Sequence, residues 1–123
     1  MNNLIEEVKK VLDEDLLFEM STLKKNRYTK LPVNIWLSIK TKGKHNKPRL
    51  KIQNNKLDTL SSISDLIPVS IEDEPEILID KKIKISNSEI QYIKSWIKLN
   101  KENLLKFWNQ EIDFEDLIEV LKF

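Results

Sequence analysis

The chain of 123 residues contains no cysteine, no alanine, one glycine and one histidine, His45. The lack of cysteine excludes disulfides and thiolate chemistry, and a single histidine excludes zinc sites that take two histidines from one chain. No apolar run approaches the ~20 residues that cross a bilayer, and the first residues lack a basic stretch followed by an apolar one. These absences predict a cytoplasmic protein without a cofactor.

The composition is typical of one folded domain, because 40% of the residues are apolar and 33% are charged. We therefore expect residues 1–123 to form a single domain. Nineteen lysines against two arginines, together with 16 isoleucines, indicate a low-GC coding preference. The number of lysines alone therefore carries little functional information.

The order of the charges is more informative than the net charge of +1. Residues 20–57 carry eleven basic side chains and no acidic one, whereas residues 58–80 carry seven acidic side chains and no basic one. The two blocks could neutralise each other across a sheet, where opposite-charge pairs contribute roughly 0.2–1 kcal/mol each. Alternatively, the basic block could form a phosphate-binding surface, the usual electrostatic signature of nucleic-acid binding.

Apolar side chains at helical spacing predict a first helix that Asn3 caps and that ends at about Leu17 or Glu19. Its apolar stripe could contact a partner, but such stripes usually pack on the sheet of their own domain. The following residues, 21–30, are polar and lack a period, which predicts a loop.

A basic β-hairpin is predicted between residues 33 and 53. The apolar period changes to two at Val33, and it continues in a return strand after a turn at Gly43. Aliphatic side chains then occupy the inner face. The outer face carries Trp36, Lys40, Arg49 and Lys51.

Three further short strands are predicted at residues 68–72, 76–80 and 82–85. Ser86 and Glu89 have the spacing of a capping box, which predicts the start of a helix. For residues 56–66 the sequence is compatible with either a loop or a short turn of helix.

The apolar arc of this helix continues to Trp108 and includes Lys101. Either the helix breaks near Asn100, or the lysine side chain extends to solvent. Asp113 is placed to cap a last helix over residues 114–122. The order of elements predicts an α+β fold with an N-terminal helix, a mainly antiparallel sheet of about five short strands, and two C-terminal helices.

The hairpin is the candidate binding site, because its aromatic side chain can stack on a base while its cations neutralise phosphates. The candidate nucleic-acid- or partner-binding residues are Trp36, Lys40, Lys42, Lys44, His45, Lys47, Arg49 and Lys51. Their composition suits either a β-ribbon in a groove or a platform for a single strand. The structural alternative is a solvated hairpin with Trp36 buried under a neighbouring element.

Catalytic and metal-binding interpretations have little support. His45 titrates nearest neutrality, but no acidic residue between Met20 and Lys56 is available to orient it, which favours a polar loop residue over a general base. Carboxylates at positions 72, 73, 74, 76 and 80 could hold Mg²⁺, although an Asp-Glu-Pro run is typical of a turn. We predict no catalytic residue, no metal site and no enzymatic activity. A small nuclease is a third hypothesis, which requires cleavage to be lost on His45→Ala or on metal chelation.

The stretch His45-Asn46-Lys47-Pro48-Arg49-Leu50-Lys51-Ile52 resembles the His-x-Pro-Pro-His-Phe-His-Val strand of a small bacterial family, domain-of-unknown-function family 4160. Residues 76–108 are similar to its acidic strand pair and its Trp-x₃-His-x₂-Glu-Leu-Leu-x-x-Trp helix. That helix corresponds here to Trp96–Trp108, which includes Leu104 and Leu105.

The resemblance covers about half of the chain and implies an α+β fold. It also implies that the gene lies near toxin–antitoxin-like gene pairs. The predicted N-terminal helix is outside it. Arg49, Lys51 and Asn100 stand where the family has histidines. A catalytic or metal-binding role of those histidines could therefore not be shared by this chain.

Two functional hypotheses follow. The first is a non-enzymatic regulatory module of a toxin–antitoxin-like or mobile-element system, which binds DNA, RNA or a nucleoprotein through the basic hairpin. The alternative is a protein-binding inhibitor, immunity partner or anti-defence factor, whose hairpin enters an acidic or nucleic-acid-binding cleft of a larger complex.

Overall fold

The structure, a computed structural model, describes residues 21–26, 29–40, 47–60 and 62–123. Within these ranges four strands precede three helices, so the predicted α+β fold is confirmed. The strands are β1 (Ser21–Leu23), β2 (Ile35–Leu37), β3 (Arg49–Gln53) and β4 (Leu66–Ser70). The helices are α1 (Asn87–Leu99), α2 (Lys101–Trp108) and α3 (Phe114–Val120). The predicted first helix lies outside the described residues.

The four strands form one antiparallel sheet in the order β1-β2-β3-β4. The hairpin strands β2 and β3 are therefore central, with Trp36 opposite Lys51. A short 3₁₀ helix, Ile63–Asp65, precedes β4 and is capped by the Ser62 hydroxyl, which accepts from the Ser64 N–H. For this segment the sequence allowed either a loop or a short turn of helix, and the structure has the short turn of helix.

One face of the sheet, called the inner face here, packs against the helices. Its buried side chains are Leu23, Ile35, Leu37, Leu50, Ile52, Ile67 and Val69. They form one cluster with Ile93 and Ile97 of α1 and Leu104 of α2. Burial of each such aliphatic side chain contributes about 1.5–3 kcal/mol, so this cluster holds the sheet and the helices together.

The prediction of a loop over residues 21–30 is wrong for its first three residues. Ser21, Thr22 and Leu23 pair with β2 and form the edge strand β1, in which Leu23 is buried. Three residues are too few to show a period of two. The pairing depends on β2, which is distant in sequence, and local pattern does not reveal it.

Two of the individual strand predictions are wrong, because residues 76–80 and 82–85 form no strand. Only Ile77 makes an isolated bridge, to Val69. The amide of Asn54 instead holds the second segment: its Nδ2 donates to the Lys82 carbonyl at 2.9 Å, and its Oδ1 accepts from the Lys84 N–H at 2.7 Å. A buried side chain thus takes the place of a strand partner.

The helical region contains three helices rather than the two predicted. The capping box of Ser86 and Glu89 and the cap at Asp113 both form as predicted. The helix breaks at Asn100, one of the two predicted outcomes, and Lys101 then pairs with Asp73 at 2.8 Å. No helix in the part of the chain that the structure describes is long and apolar enough to cross a membrane.

Candidate nucleic-acid interface

The sheet face opposite the helices, called the outer face here, carries the candidate site. Because successive side chains of a strand alternate between faces, residues 22, 36, 51 and 68 form one row across the four strands. Trp36 and Lys51 are direct neighbours in this row, and Arg49 lies on the same face two residues before Lys51. The hairpin therefore brings one aromatic and two cationic side chains together, as the alternation predicts.

A loop closes one end of the outer face. Gln53 Nε2 donates to the Leu57 carbonyl at 2.8 Å, and Asn34 Nδ2 donates to the Asp58 carbonyl at 3.0 Å. Both amides are fully buried, and Asn34 Nδ2 also donates to Gln53 Oε1 at 3.3 Å. The two amides thus fix the loop of residues 55–59 beside the row.

A turn closes the other end. The buried Ser70 hydroxyl donates to the Glu72 carboxylate and accepts from the Glu76 N–H at 2.8 Å. Glu72 also pairs with Lys47 at 3.0 Å. The hydrogen bond from Ser70, followed by that from Lys47, lowers the pKa of Glu72 below its ordinary value, so this carboxylate is charged beside the site at neutral pH.

Lys51 is a half-buried cation without a counterion among the described residues. No ion pair within the described ranges involves Lys51 or Arg49. Burial lowers the pKa of Lys51 below its ordinary value, and the positive charge of Arg49 lowers it further. Arg49 donates from Nε to the Lys47 carbonyl at 3.2 Å, which holds its guanidinium group beside the strand. The two cations repel each other, and an anion placed between them would relieve that repulsion.

Trp36 is half-buried in the middle of this face. Its neighbours in the row are Thr22 and Lys51, neither of which is aromatic. The indole N–H of Trp36 is buried and has no hydrogen-bond partner in the described part of the chain. A buried donor without a partner costs about 1–3 kcal/mol relative to a satisfied one, and the indole N–H of Trp96 is in the same situation among the described residues.

The remaining candidate residues are placed differently. Lys40 is exposed, but β2 ends at Leu37 and the Lys40 N–H donates to the Trp108 carbonyl at 2.7 Å, so the prediction that Lys40 lies on the strand is wrong. The hydrogen bond to α2 turns the chain away from the β3 ladder. Lys42, Lys44 and His45 lie outside the described residues.

The acidic block pairs mostly with cations that are not among the candidate residues. Asp58 pairs with Lys25 at 3.0 Å and Asp73 with Lys101 at 2.8 Å. Hydrogen bonds from these lysines lower the pKa of both carboxyl groups. Among the candidate residues that the structure describes, only Lys47 is neutralised by this block.

The acidic turn forms no metal site in the described ranges, where no three potential ligands come together in one group. Asp73 pairs with Lys101, whereas Glu72 points to Ser70 and Lys47. Adjacent carboxylates of the Asp-Glu-Pro turn therefore serve different partners.

The helix layer carries a separate apolar surface. Tyr92, Leu99 and Phe123 are exposed, and with Ser95 and Trp96 they line a cavity of about 160 Å³. Trp96 and Phe123 stack with ring centroids 5.8 Å apart. This surface belongs to the layer that covers the inner face, so it is not part of the basic site.

Sequence reasoning missed the polar residues that shape the ends of the site. Asn34, Gln53 and Ser70 are fully buried, although polar residues at alternating positions predict exposure. They are buried by loops whose positions depend on tertiary contacts. In the sequence each of them directly follows a β-branched aliphatic residue, and this pattern does not by itself indicate burial of a polar side chain.

A comparison of the chain with protein-family models, curated proteins and solved structures finds no match. The resemblance to family 4160 therefore stays a prediction. At the position of the family's helix histidine, Asn100 is buried and holds the C-terminal segment. Its Nδ2 donates to the Lys122 carbonyl at 2.9 Å, and its Oδ1 accepts from the Lys122 N–H at 2.8 Å.

Proposed function

We propose that this protein is a non-enzymatic regulatory module that binds nucleic acid through the outer face of its sheet. One observation carries the proposal: Arg49 and Lys51 lie beside Trp36 without a carboxylate from the described residues. Neither cation is neutralised within the described residues, so both are available to an external anion. Phosphate oxygens would supply the missing negative charge.

The electrostatic cost at Lys51 supports the same conclusion. The folded protein keeps a half-buried ammonium group next to a guanidinium group, and this lowers the pKa of Lys51. A bound phosphate would stabilise the charged form and raise that pKa again. Binding would therefore recover free energy that folding gives up at this position.

Binding of an oligonucleotide as a function of salt tests the proposal. If the protein contacts about five phosphates, the logarithm of affinity falls against the logarithm of salt concentration with a slope of about −4 to −5 for duplex DNA, and about −3.5 for a single strand. Fluorescence anisotropy with labelled DNA and RNA, from about 50 to about 200 mM salt, measures the slope.

The double variant Arg49→Glu/Lys51→Glu is expected to abolish binding and to remain folded by circular dichroism. A matched control is Lys98→Glu/Lys106→Glu, which makes the same change of charge on exposed positions of α1 and α2. This control should lose only the small part of the affinity that depends on overall charge. If the reversal unfolds the sheet, Arg49→Gln/Lys51→Gln removes the cations without adding negative charge.

The proposal fails if no DNA or RNA binds at low salt, or if binding does not depend on salt. It also fails if the two charge-reversal variants weaken binding equally. A protein partner that stays bound to the chain after nuclease treatment, and is lost in Arg49→Glu/Lys51→Glu, would instead support the inhibitor or immunity hypothesis.

A further inference from the structure

The position of the hairpin within the sheet limits which nucleic acids its strands can reach. Strands β2 and β3 are hydrogen-bonded on their other edges to β1 and β4. Adjacent strands lie about 4.8 Å apart, so the axes of the outer strands are about 14 Å apart. The major groove of B-DNA is about 12 Å wide. The sheet is therefore too wide to enter this groove as a two-stranded ribbon would.

The helices prevent nucleic acid from contacting the inner face of the sheet. The inner face of the same strands is buried against α1 and α2 through Ile93, Ile97 and Leu104. Of the two faces of the described strands, only the outer one is left for a ligand, and this face can contact nucleic acid solely as a surface. A duplex would meet it through phosphates alone.

Trp36 offers an aromatic ring for base stacking, which the paired bases of a duplex cannot use. It is the one aromatic side chain on the outer face of the described strands, where its neighbours in the row are Thr22 and Lys51. The bases of a duplex already stack on each other, whereas those of a single strand have free faces. Stacking of a base on an aromatic ring contributes about fivefold to 150-fold in affinity.

We infer that the outer face binds single-stranded nucleic acid in preference to duplex, with a base stacked on Trp36 and the adjoining phosphates on Arg49 and Lys51. The inference rests on the proposed function and specifies its ligand. Two residues of a strand span about 6.7 Å, so Arg49 and Lys51 are separated along β3. They can therefore contact different phosphates of the bound strand.

Tryptophan fluorescence can report this contact. The chain has three tryptophans. Trp96 and Trp108 are 3% exposed, whereas Trp36 is half-buried on the outer face. Quenching by a stacked base should therefore come from Trp36. The variant Trp36→Phe keeps an aromatic face and removes that signal.

The experiment compares oligo(dT) and oligo(U) of about 12 nucleotides with a mixed-sequence duplex of the same length, at equal salt and with the full chain. We expect each single strand to bind about tenfold more tightly than the duplex and to quench the fluorescence. The two single strands separate DNA from RNA, which share the chemistry proposed here. If only one of them binds, the same site is retained and its sugar preference is identified.

Two substitutions separate stacking from packing. Trp36→Leu keeps apolar volume without a π face, and it should weaken single-strand binding about fivefold to 150-fold while duplex binding changes little. Trp36→Phe should retain most of the single-strand affinity, measured by anisotropy, although the quenching is lost. Circular dichroism checks that both variants fold.

Each result decides between the two proposals. Equal or tighter binding of the duplex overturns the single-strand inference and leaves the proposed function intact. Unchanged single-strand affinity in a folded Trp36→Leu variant overturns the stacking contact. Failure of every oligonucleotide to bind overturns both proposals.

Discussion

At the scale of single residues, Lys51 is the clearest departure from what stability requires. A lysine on the outer face of a sheet usually extends its ammonium group into water. Here the side chain is half-buried and lies next to Arg49, and both effects lower its pKa. Because the folded state disfavours the proton, this group makes the protein less stable at neutral pH than an uncharged side chain of similar shape would.

Binding should therefore depend on pH through Lys51. Phosphate favours the protonated form, so affinity for an oligonucleotide is expected to fall as the pH rises through the lowered pKa of Lys51. Lys51→Arg stays charged over this range and should bind about tenfold more tightly than the wild type at alkaline pH. Anisotropy titrations from about pH 7 to about pH 10 measure the ratio. A constant ratio would contradict the prediction.

At the scale of the elements, helix starts follow local rules, whereas the pairing of strands does not. The first turn of α1 is closed by Ser86 Oγ, which accepts from the Glu89 N–H at 3.2 Å, while Glu89 Oε1 accepts from the Ser86 N–H at 3.0 Å. All partners lie within three residues, so the sequence predicts this start correctly. Edge strand β1 has its partner in β2, and no comparable local signal exists for it.

The cap of α1 makes a specific stability prediction. Ser86→Ala removes the hydroxyl acceptor and should lower the free energy of unfolding by about 0.5–2 kcal/mol, which corresponds to a Tm lower by about 4 °C for a 1 kcal/mol loss. Ser95→Ala is the matched control, because Ser95 is exposed in the middle of the helix and alanine is the better helix former. Thermal unfolding by circular dichroism compares the two variants. Equal losses in both would show that the cap contributes nothing.

The pKa of Glu89 gives this cap a pH dependence. The Lys56 ammonium, 2.6 Å away, and the Ser86 backbone N–H lower the pKa of Glu89 below its ordinary value. A carboxyl group with a lowered pKa in the folded state stabilises that state above its unfolded pKa. This contribution is lost as the pH falls through the lowered pKa of Glu89 in the folded state.

At the scale of the whole molecule, the acidic block does not neutralise the basic site. Its carboxylates pair with Lys25, Lys84 and Lys101 among the described residues, and with only one candidate residue, Lys47. Within the described residues no carboxylate pairs with Arg49 or Lys51 on the outer face, while the net charge of the chain is +1. Glu72 is the carboxylate through which the two blocks meet at the site.

Removal of this carboxylate should strengthen nucleic-acid binding. Glu72→Gln frees Lys47 to contact a phosphate, so affinity should rise several-fold and the salt slope should become steeper by about 0.7–0.9. Glu74→Gln makes the same change of charge in the same turn, at an exposed residue that forms no ion pair with the described residues. Anisotropy at several salt concentrations compares them. Identical effects of the two variants would show that overall charge, and not Lys47, is responsible.

The sequence alone determined the features that depend on near neighbours. The alternation in residues 35–37 and 49–53 placed Trp36, Arg49 and Lys51 on one face, and the spacing of polar residues placed the caps at Ser86 and Asp113. Only the tertiary structure decided which strands are paired, where buried Asn34 and Gln53 hold the flanking loop, and which cations have no carboxylate partner among the described residues. The physical reason is distance along the chain: caps and alternation involve residues a few positions apart, whereas Asn34 and Asp58, or Asp73 and Lys101, become partners only after the chain has folded.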